Sequence, residues 1–288
     1  NRRATFIYPR KEEYENALAF MAQEMNIPEF NDYEDIPLDW QKTVLVPYLL
    51  KQGVFENLLE PEDFVWESVD DTLQLKNILG DSIKILYQPV DKIICSNGYS
   101  YSYNNFQIPD SLYLGGTKFE MEWLLEDIGI KRYAWKENVI SEGDKYFIPL
   151  KEYSNKASND TILNVLFDKG YSGEYSLEFN IEQVFPRKYL MVVRTNMNVG
   201  GIFDIYVNDE LVKTFDYYDF LRYNLVLPSV IPGKRYFPEG VLNKFDMWVD
   251  NLNDYGPIRI RFEYKGPSSV LNNGIVIDYI ELIPDGNF

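Results

Sequence analysis

The chain has 288 residues, longer than one average domain, so each of two halves can bury its own core. Its 45 acidic against 28 basic residues give a formal charge of −17, whose field repels phosphate backbones and anionic headgroups and so argues against nucleic acid or a membrane surface as partner. Histidine is absent, which excludes Ser-His and Cys-His nucleophiles and imidazole-held zinc, leaving carboxylate chemistry or none.

In chain order, Lys11 to Met25 set Tyr14, Leu18, Met21 and Met25 on one stripe at spacings of three and four, behind the stop of Pro9, which predicts a helix. A second helix is expected from Trp40 to Lys51, ending near Gly53, where a left-handed cap would fit. Short strands are expected at 71–75, 82–87 and 98–106, the last entered through an Asn97-Gly98 turn. Cys95 has no internal partner and reads as a buried small hydrophobe. Gly115-Gly116 is flexible backbone between two differently patterned regions, and the boundary is placed there, giving domains 1–115 and 116–288. A short joining helix is expected over 118–129.

The remainder alternates with period two: YSLEFNIE from Tyr175, KYLMVVRTN from Lys188, IFDIYVND from Ile202, ELVKTF from Glu210, KFDMWVD from Lys244, IRIRFEY from Ile258 and IVIDYIELI from Ile275. So many short alternating runs predict an antiparallel sandwich with one wet face per sheet. Asn208-Asp209 suits a tight hairpin because both residues tolerate positive φ. No run of about 18 apolar residues exists, so no membrane-spanning helix is expected.

ATFIYPRKEEYENAL (4–18), TVLVPYLLKQGVFENL (43–58), TLQLKNILGDSIKI (72–85) and SNGYSYSYNNFQIP (96–109) follow one another as the boxes of a fasciclin domain do, and the first half resembles that family. The resemblance implies an α+β fold whose first helices lie upstream of Asn1, and Trp40 and Trp66 as core residues. The family's tyrosine-histidine pair stands here as Tyr48-Leu49, so no adhesive ligand is carried over. KASNDTILNVLF, YSLEFNIEQVFPRKYLMVVR, FDIYVNDELV and the closing IVIDYIELIP resemble the galactose-binding-like jelly rolls used as carbohydrate-binding modules. That resemblance implies an all-β sandwich in the second half, and Asp278 as a candidate ligand of a structural calcium if Glu142 or Asp144 comes beside it; a solvated strand position is the bland reading. No other cofactor is expected. The combination resembles surface lipoproteins of gut Bacteroidota. It implies export, a lipid anchor upstream of the sequence, and a place on the extracellular face of the outer membrane beside a TonB-dependent importer. Asp71-Thr72-Leu73, Asp81-Ser82-Ile83, Asp110-Ser111-Leu112 and Asp160-Thr161-Ile162 resemble the short O-glycosylation signal of those bacteria.

Ligand-binding candidates are the aromatics Tyr217, Tyr218, Phe220 and Tyr223, then Tyr236 and Phe237, with Trp248 and Tyr255 flanking the DNLND turn. Their rings suit the apolar faces of sugars while neighbouring Asp, Asn and Arg groups bond hydroxyls; aromatics at this density also close the end of a sandwich core. The function expected is a non-enzymatic surface binding or adhesion protein engaging a glycan through its second half. The alternative is an accessory lipoprotein subunit that docks onto the importer and binds no sugar. A glycoside hydrolase with paired carboxylates comes third, since no Asp or Glu sits in a recognisable signature.

Overall fold

The computed structural model describes residues 3–64, 73–80, 82–85, 90–103, 106–127, 133–135, 139–196, 198–218, 242–269 and 272–286. It divides into two compact units, Asn1–Leu114 and Gly115–Phe288. No helix among the described residues is long and apolar enough to cross a membrane.

In the first unit β1 (Ala4–Pro9) pairs with β2 (Val54–Phe55) antiparallel. Hairpin β3 (Leu73–Lys76) and β4 (Ser82–Ile85) is a two-stranded sheet of its own, with Leu75 packed on the core of this unit. β5 (Val90–Cys95) is the edge of the main sheet, next to β6 (Gly98–Tyr103), which runs parallel to β1. Helix α1 spans Lys11–Met25 as its stripe predicts, burying Ala17, Leu18, Met21, Ala22 and Met25. It closes on Asn26 at φ 51, a left-handed cap that an asparagine accepts. The second helical stretch runs through Leu38–Trp40, a π-turn at Gln41–Leu45 and Val46–Gln52, with Trp40 and Leu45 buried.

Gly53 ends that stretch in right-handed backbone, φ −81 and ψ 0, so the expected left-handed cap does not form. Its need for glycine is steric: a Cβ there would lie 2.3 Å from the carbonyl oxygen of Ile7, and its own carbonyl accepts the Ile7 amide at 2.8 Å. The helix end is thereby pressed onto β1, over a core of Ile7, Phe55, Phe64 and Tyr101. Cys95 is exposed rather than buried, because it closes an edge strand whose Ile93 and Ile94 also face solvent.

The second unit is a β-sandwich. Where a helix was expected over 118–129, β7 (Thr117–Glu120) pairs with the last strand, a 3₁₀ turn covers Met121–Leu124, and β8 (Leu125–Asp127) pairs with β9 (Tyr133–Trp135). Phe119 and Met121 pack on the core while Lys118 and Glu120 alternate with them, so a free sheet edge overrides helix propensity. The remaining strands are β10 (Val139–Gly143), β11 (Leu150–Tyr153), β12 (Thr161–Leu166), β13 (Tyr175–Val184), β14 (Tyr189–Asn196), β15 (Val199–Gly200), β16 (Ile202–Val207), β17 (Glu210–Asp216), β18 (Leu242–Val249), β19 (Gly256–Gly266) and β20 (Asn272–Pro284). One sheet has the order β10-β13-β19-β16-β17 and the other β11-β12-β20-β14-β18, with β7 and β15 also on β20. Their inner faces share one core, in which Leu177, Phe179, Ile205 and Phe262 meet Leu163, Val193, Phe245 and Ile277. The β16–β17 hairpin turns at Asn208 and Asp209 with φ 49 and 67, as their tolerance of positive φ leads one to expect.

Gly53→Ala is expected to cost the first unit about 2–4 kcal/mol, since backbone rather than a side-chain tip must move. Urea unfolding followed on its own transition reads this as a lower midpoint at unchanged slope. A variant as stable as the parent would show that the helix end does not require this approach.

Candidate functional site

Alternation along the five-stranded sheet decides what reaches solvent. On β13 and β19, Tyr175, Leu177, Ile260, Phe262 and Tyr264 turn inward, leaving Ser176, Glu178, Arg259, Arg261, Glu263 and Lys265 on the outer face. Pairing aligns these into cross-strand rows: Glu142, Ser176, Glu263, Asp204 and Thr214 form one, and Ile140, Glu178, Arg261, Tyr206 and Leu211 the next. At the β10–β13–β19 end of these rows lies a cleft of about 540 Å³ lined by Glu142, Ser172, Ser176, Arg261, Glu263 and Lys265, with Tyr175 and Tyr264 at its base.

The polar groups hold one another in place. The Arg261 guanidinium lies 4.4 Å from the Tyr206 ring centroid and donates to Glu263 Oε2 at 3.1 Å. Lys265 reaches Glu263 Oε1 at 2.9 Å and Asp204 Oδ2 at 3.5 Å, and its hydrogen bond to Glu263 raises its pKa. At the rim the Glu174 amide donates to Asp144 Oδ2 at 2.9 Å, and the Tyr171 hydroxyl donates to the Glu174 carbonyl at 2.6 Å. A Cβ on Gly173 would sit 2.8 Å from the Tyr171 hydroxyl and 2.9 Å from Asp144 Oδ2, so these side-chain ends would have to shift. Donors and acceptors of both charges thus converge on one open cleft, a set that suits a ligand rich in hydroxyls. Aromatic-rich loops drew attention in the sequence; the usable signal for this site was the outward half of IRIRFEYK.

Among the described residues the aromatic candidates are not brought together. Tyr217 is 1% exposed and belongs to the core, a correction to its reading as a ligand contact. It continues the inward phase of Phe215, its ring meets Phe203 and Phe215 at centroid distances of 5.8 and 5.0 Å, and its hydroxyl lies 3.1 Å from Thr195 Oγ1. A Cβ on Gly200 would fall 2.2 Å from that ring, so glycine there makes room for it. Tyr218 is 43% exposed, its amide bonding Asp216 Oδ1 at 2.9 Å. Trp248 is half-buried on the outer face of the other sheet, beside Leu190 and Ile283, with the Lys188 ammonium 4.5 Å from its ring. Tyr255 packs on Phe185 at 5.2 Å, beyond the opposite end of β18 from Tyr218. Phe220, Tyr223, Tyr236 and Phe237 lie outside the described residues.

Asp278 is fully buried and ion-paired with Arg194; it also accepts the Ser158 amide at 3.1 Å and hydroxyl at 3.0 Å. Neither expected companion is beside it, because Glu142 pairs with Ser176 on the other sheet and Asp144 bonds Glu174. Glu120 comes beside it instead, its Oε2 2.6 Å from the same Ser158 hydroxyl, whose single proton the two carboxylates share, and it pairs with Lys118 at 3.0 Å. Glu122 follows two residues on, also fully buried, its carboxyl pushed up in pKa chiefly by burial. With Arg194 and Lys118 already neutralising this group, and no set of three acidic side chains among the described residues arranged to hold a metal ion, the donor set does not fit a structural calcium.

No protein-family model matches the chain, and no match to a curated protein is found. Among solved structures, a family 35 carbohydrate-binding module from Clostridium thermocellum is similar at 16% identity and TM-score 0.30, over 51% of this chain and 92% of that one. Another family 35 module, from Paenibacillus barcinonensis, is similar at 14% identity and TM-score 0.32, over 58% and 97%. A Paenibacillus xanthan lyase is similar at 16% identity and TM-score 0.37, over 49% of this chain but only 12% of that one. The chemistry assigned below rests on the cleft itself.

Two outcomes follow from this packing. Burial raises the pKa of the Tyr189 and Tyr264 hydroxyls to about 12, and those of Tyr175 and Tyr217 further, against about 10 in an unfolded chain. A folded-state pKa above the unfolded one gives stability that is complete below pH ~10 and is lost as pH rises through the folded values. Tyrosinate absorbance in an alkaline titration should therefore show a late step coincident with unfolding; four tyrosines ionising at pH ~10 in a folded sandwich would contradict it. Asp278→Asn strands the Arg194 charge and is expected to cost about 3–5 kcal/mol, equally in chelator and in calcium. Thermal melts under both conditions check it.

Proposed function

We propose that the chain is a non-enzymatic, exported surface protein that binds a glycan in the cleft on the five-stranded face of its second unit. A single observation carries the reading: carboxylates, a guanidinium, an ammonium and hydroxyls converge, already mutually oriented, on one open cleft of about 540 Å³. Sugars present hydroxyls at every ring position, and prepositioned charged partners form the stronger hydrogen bonds to them. The Tyr206 ring under Arg261 adds a flat apolar element on the same face. The non-enzymatic part rests on the absent histidine and on the lack of a recognisable carboxylate signature. On this reading the first unit is a fasciclin-like domain, the sandwich is a galactose-binding-like jelly roll, and a lipid anchor holds the protein at the outer membrane of a Bacteroidota cell.

A second reading, an accessory subunit docking onto a nutrient importer, is favoured by the large apolar side chains at the β11 edge. Tyr146, Ile148, Leu150 and Leu166 are 60, 53, 38 and 52% exposed. Leu150 lies opposite Asn164, two residues from Leu166 on the same outer face, so the strip has the makings of an interface.

Affinity gels and a glycan array with the intact chain are expected to give binding that Arg261→Ala and Glu263→Ala each weaken about tenfold or more, while Trp248→Ala leaves it unchanged. Saturable release of reducing ends from a polysaccharide would overturn the non-enzymatic claim. A folded protein that binds no glycan would move the assignment to the docking subunit.

A further inference from the structure

The first unit carries a groove of about 850 Å³ beside α1, walled by Asn16, Phe20 and Glu24 of the helix and by Phe106, Ile108 and Tyr113 of the segment after β6. Helical spacing puts Glu13, Phe20 and Glu24 on one stripe, with buried Ala17 between it and the buried stripe of Leu18, Met21 and Met25. Phe20 is 59% exposed, although an aromatic ring at that site has nothing to gain from water. The charges at the groove have one sign: Glu13, Glu24 and Asp110 line it, and among the described residues no lining residue is basic. Glu13 Oε2 is closed off from solvent and has no hydrogen-bond partner, an arrangement that costs free energy until a donor arrives. The Tyr113 hydroxyl, raised in pKa first by burial and then by Asp110 and Glu24, shows that both acids bear on the same part of the groove.

We propose that this groove docks a short peptide segment of a partner protein, in which Lys or Arg is flanked by apolar side chains. Binding turns the enclosed Glu13 oxygen outward to a cation lying between Glu13 and Glu24, while the flanking side chains cover Phe20 and Phe106. A neutral sugar leaves the charge of the three acids unmatched, and a small free cation leaves the aromatic wall uncovered. The site is separate from the cleft of the second unit, so either assignment can fail without the other.

The test titrates the intact chain by calorimetry with the acetylated, amidated peptide Leu-Lys-Phe-Lys-Leu, its Lys-to-Glu counterpart, and free lysine. Binding of the lysine peptide alone is expected, weakening with salt and falling about tenfold or more in Glu13→Gln and in Phe20→Ala. Glu29→Gln, the same charge change on exposed backbone just beyond α1, should leave it intact. No binding, an equal loss in Glu29→Gln, or competition by free lysine as effective as the peptide would each overturn the proposal.

Discussion

The second unit depends on how β20 pairs. This thirteen-residue strand is flanked by β12 and β7 on one side and by β14 and β15 on the other, so the seven-stranded sheet has no centre without it. Its inward residues change phase midway: Ile275 and Ile277 enter the core, then Ile280 and Leu282. One extra residue absorbs the change where the β14 register shifts between Arg194 and Thr195, and that region holds Asp278. At that bulge the Asp278 carboxylate is held by Arg194 and by the Ser158 amide and hydroxyl. The buried ion pair is therefore tied to the topology: it stands where β20 exchanges one neighbour, β12, for another, β7.

Such pairings join residues more than a hundred positions apart, as Glu120 with Tyr279 and Leu163 with Ile277. Loop closure must precede most of the gain from these contacts, so the sandwich assembles as a cooperative whole. The functional consequence is rigidity. Neighbouring strands lie about 4.8 Å apart, and the outward groups of a row are held at that spacing by the sheet rather than by flexible loops. Arg261, Glu263 and Lys265 also constrain one another, so little side-chain freedom remains to be lost when a ligand arrives.

Much of this was legible in the sequence because the periodicities are strong. Lys11–Met25 carries an unbroken helical stripe, and the seven alternating runs of the second half are all strands. What was misread shares one cause, dependence on distant partners. KFEMEW has helical composition, yet its first half becomes a strand because β20 offers an edge to it, and its second half a 3₁₀ turn. Gly53 reads as a cap and is kept small by Ile7, forty-six positions earlier. Tyr217 looked like a loop aromatic, yet it continues the inward phase of β17 against Phe203 and Phe245. The cleft was legible in principle, since IRIRFEYK states which side chains face out. The partners in its rows, Glu142, Ser176 and Asp204, come from strands whose register no local pattern fixes.

Net charge and local chemistry also part company here. An excess of seventeen acids keeps polyanions away at long range, but beyond a Debye length of about 8–10 Å solvent screens it, and a bound ligand meets only the groups it touches. Those groups differ between the two units. The outer face of β19 places Arg259, Arg261 and Lys265 among Glu178, Glu263 and Asp204, so donors and acceptors are both present and a neutral hydroxyl finds either. The groove beside α1 has, among the described residues, acids without bases over aromatic walls, a pattern whose charge a cation with apolar flanks would match. One acidic chain thereby carries two surfaces of different charge pattern, and it is the outward phase of a strand and one stripe of a helix that separate them.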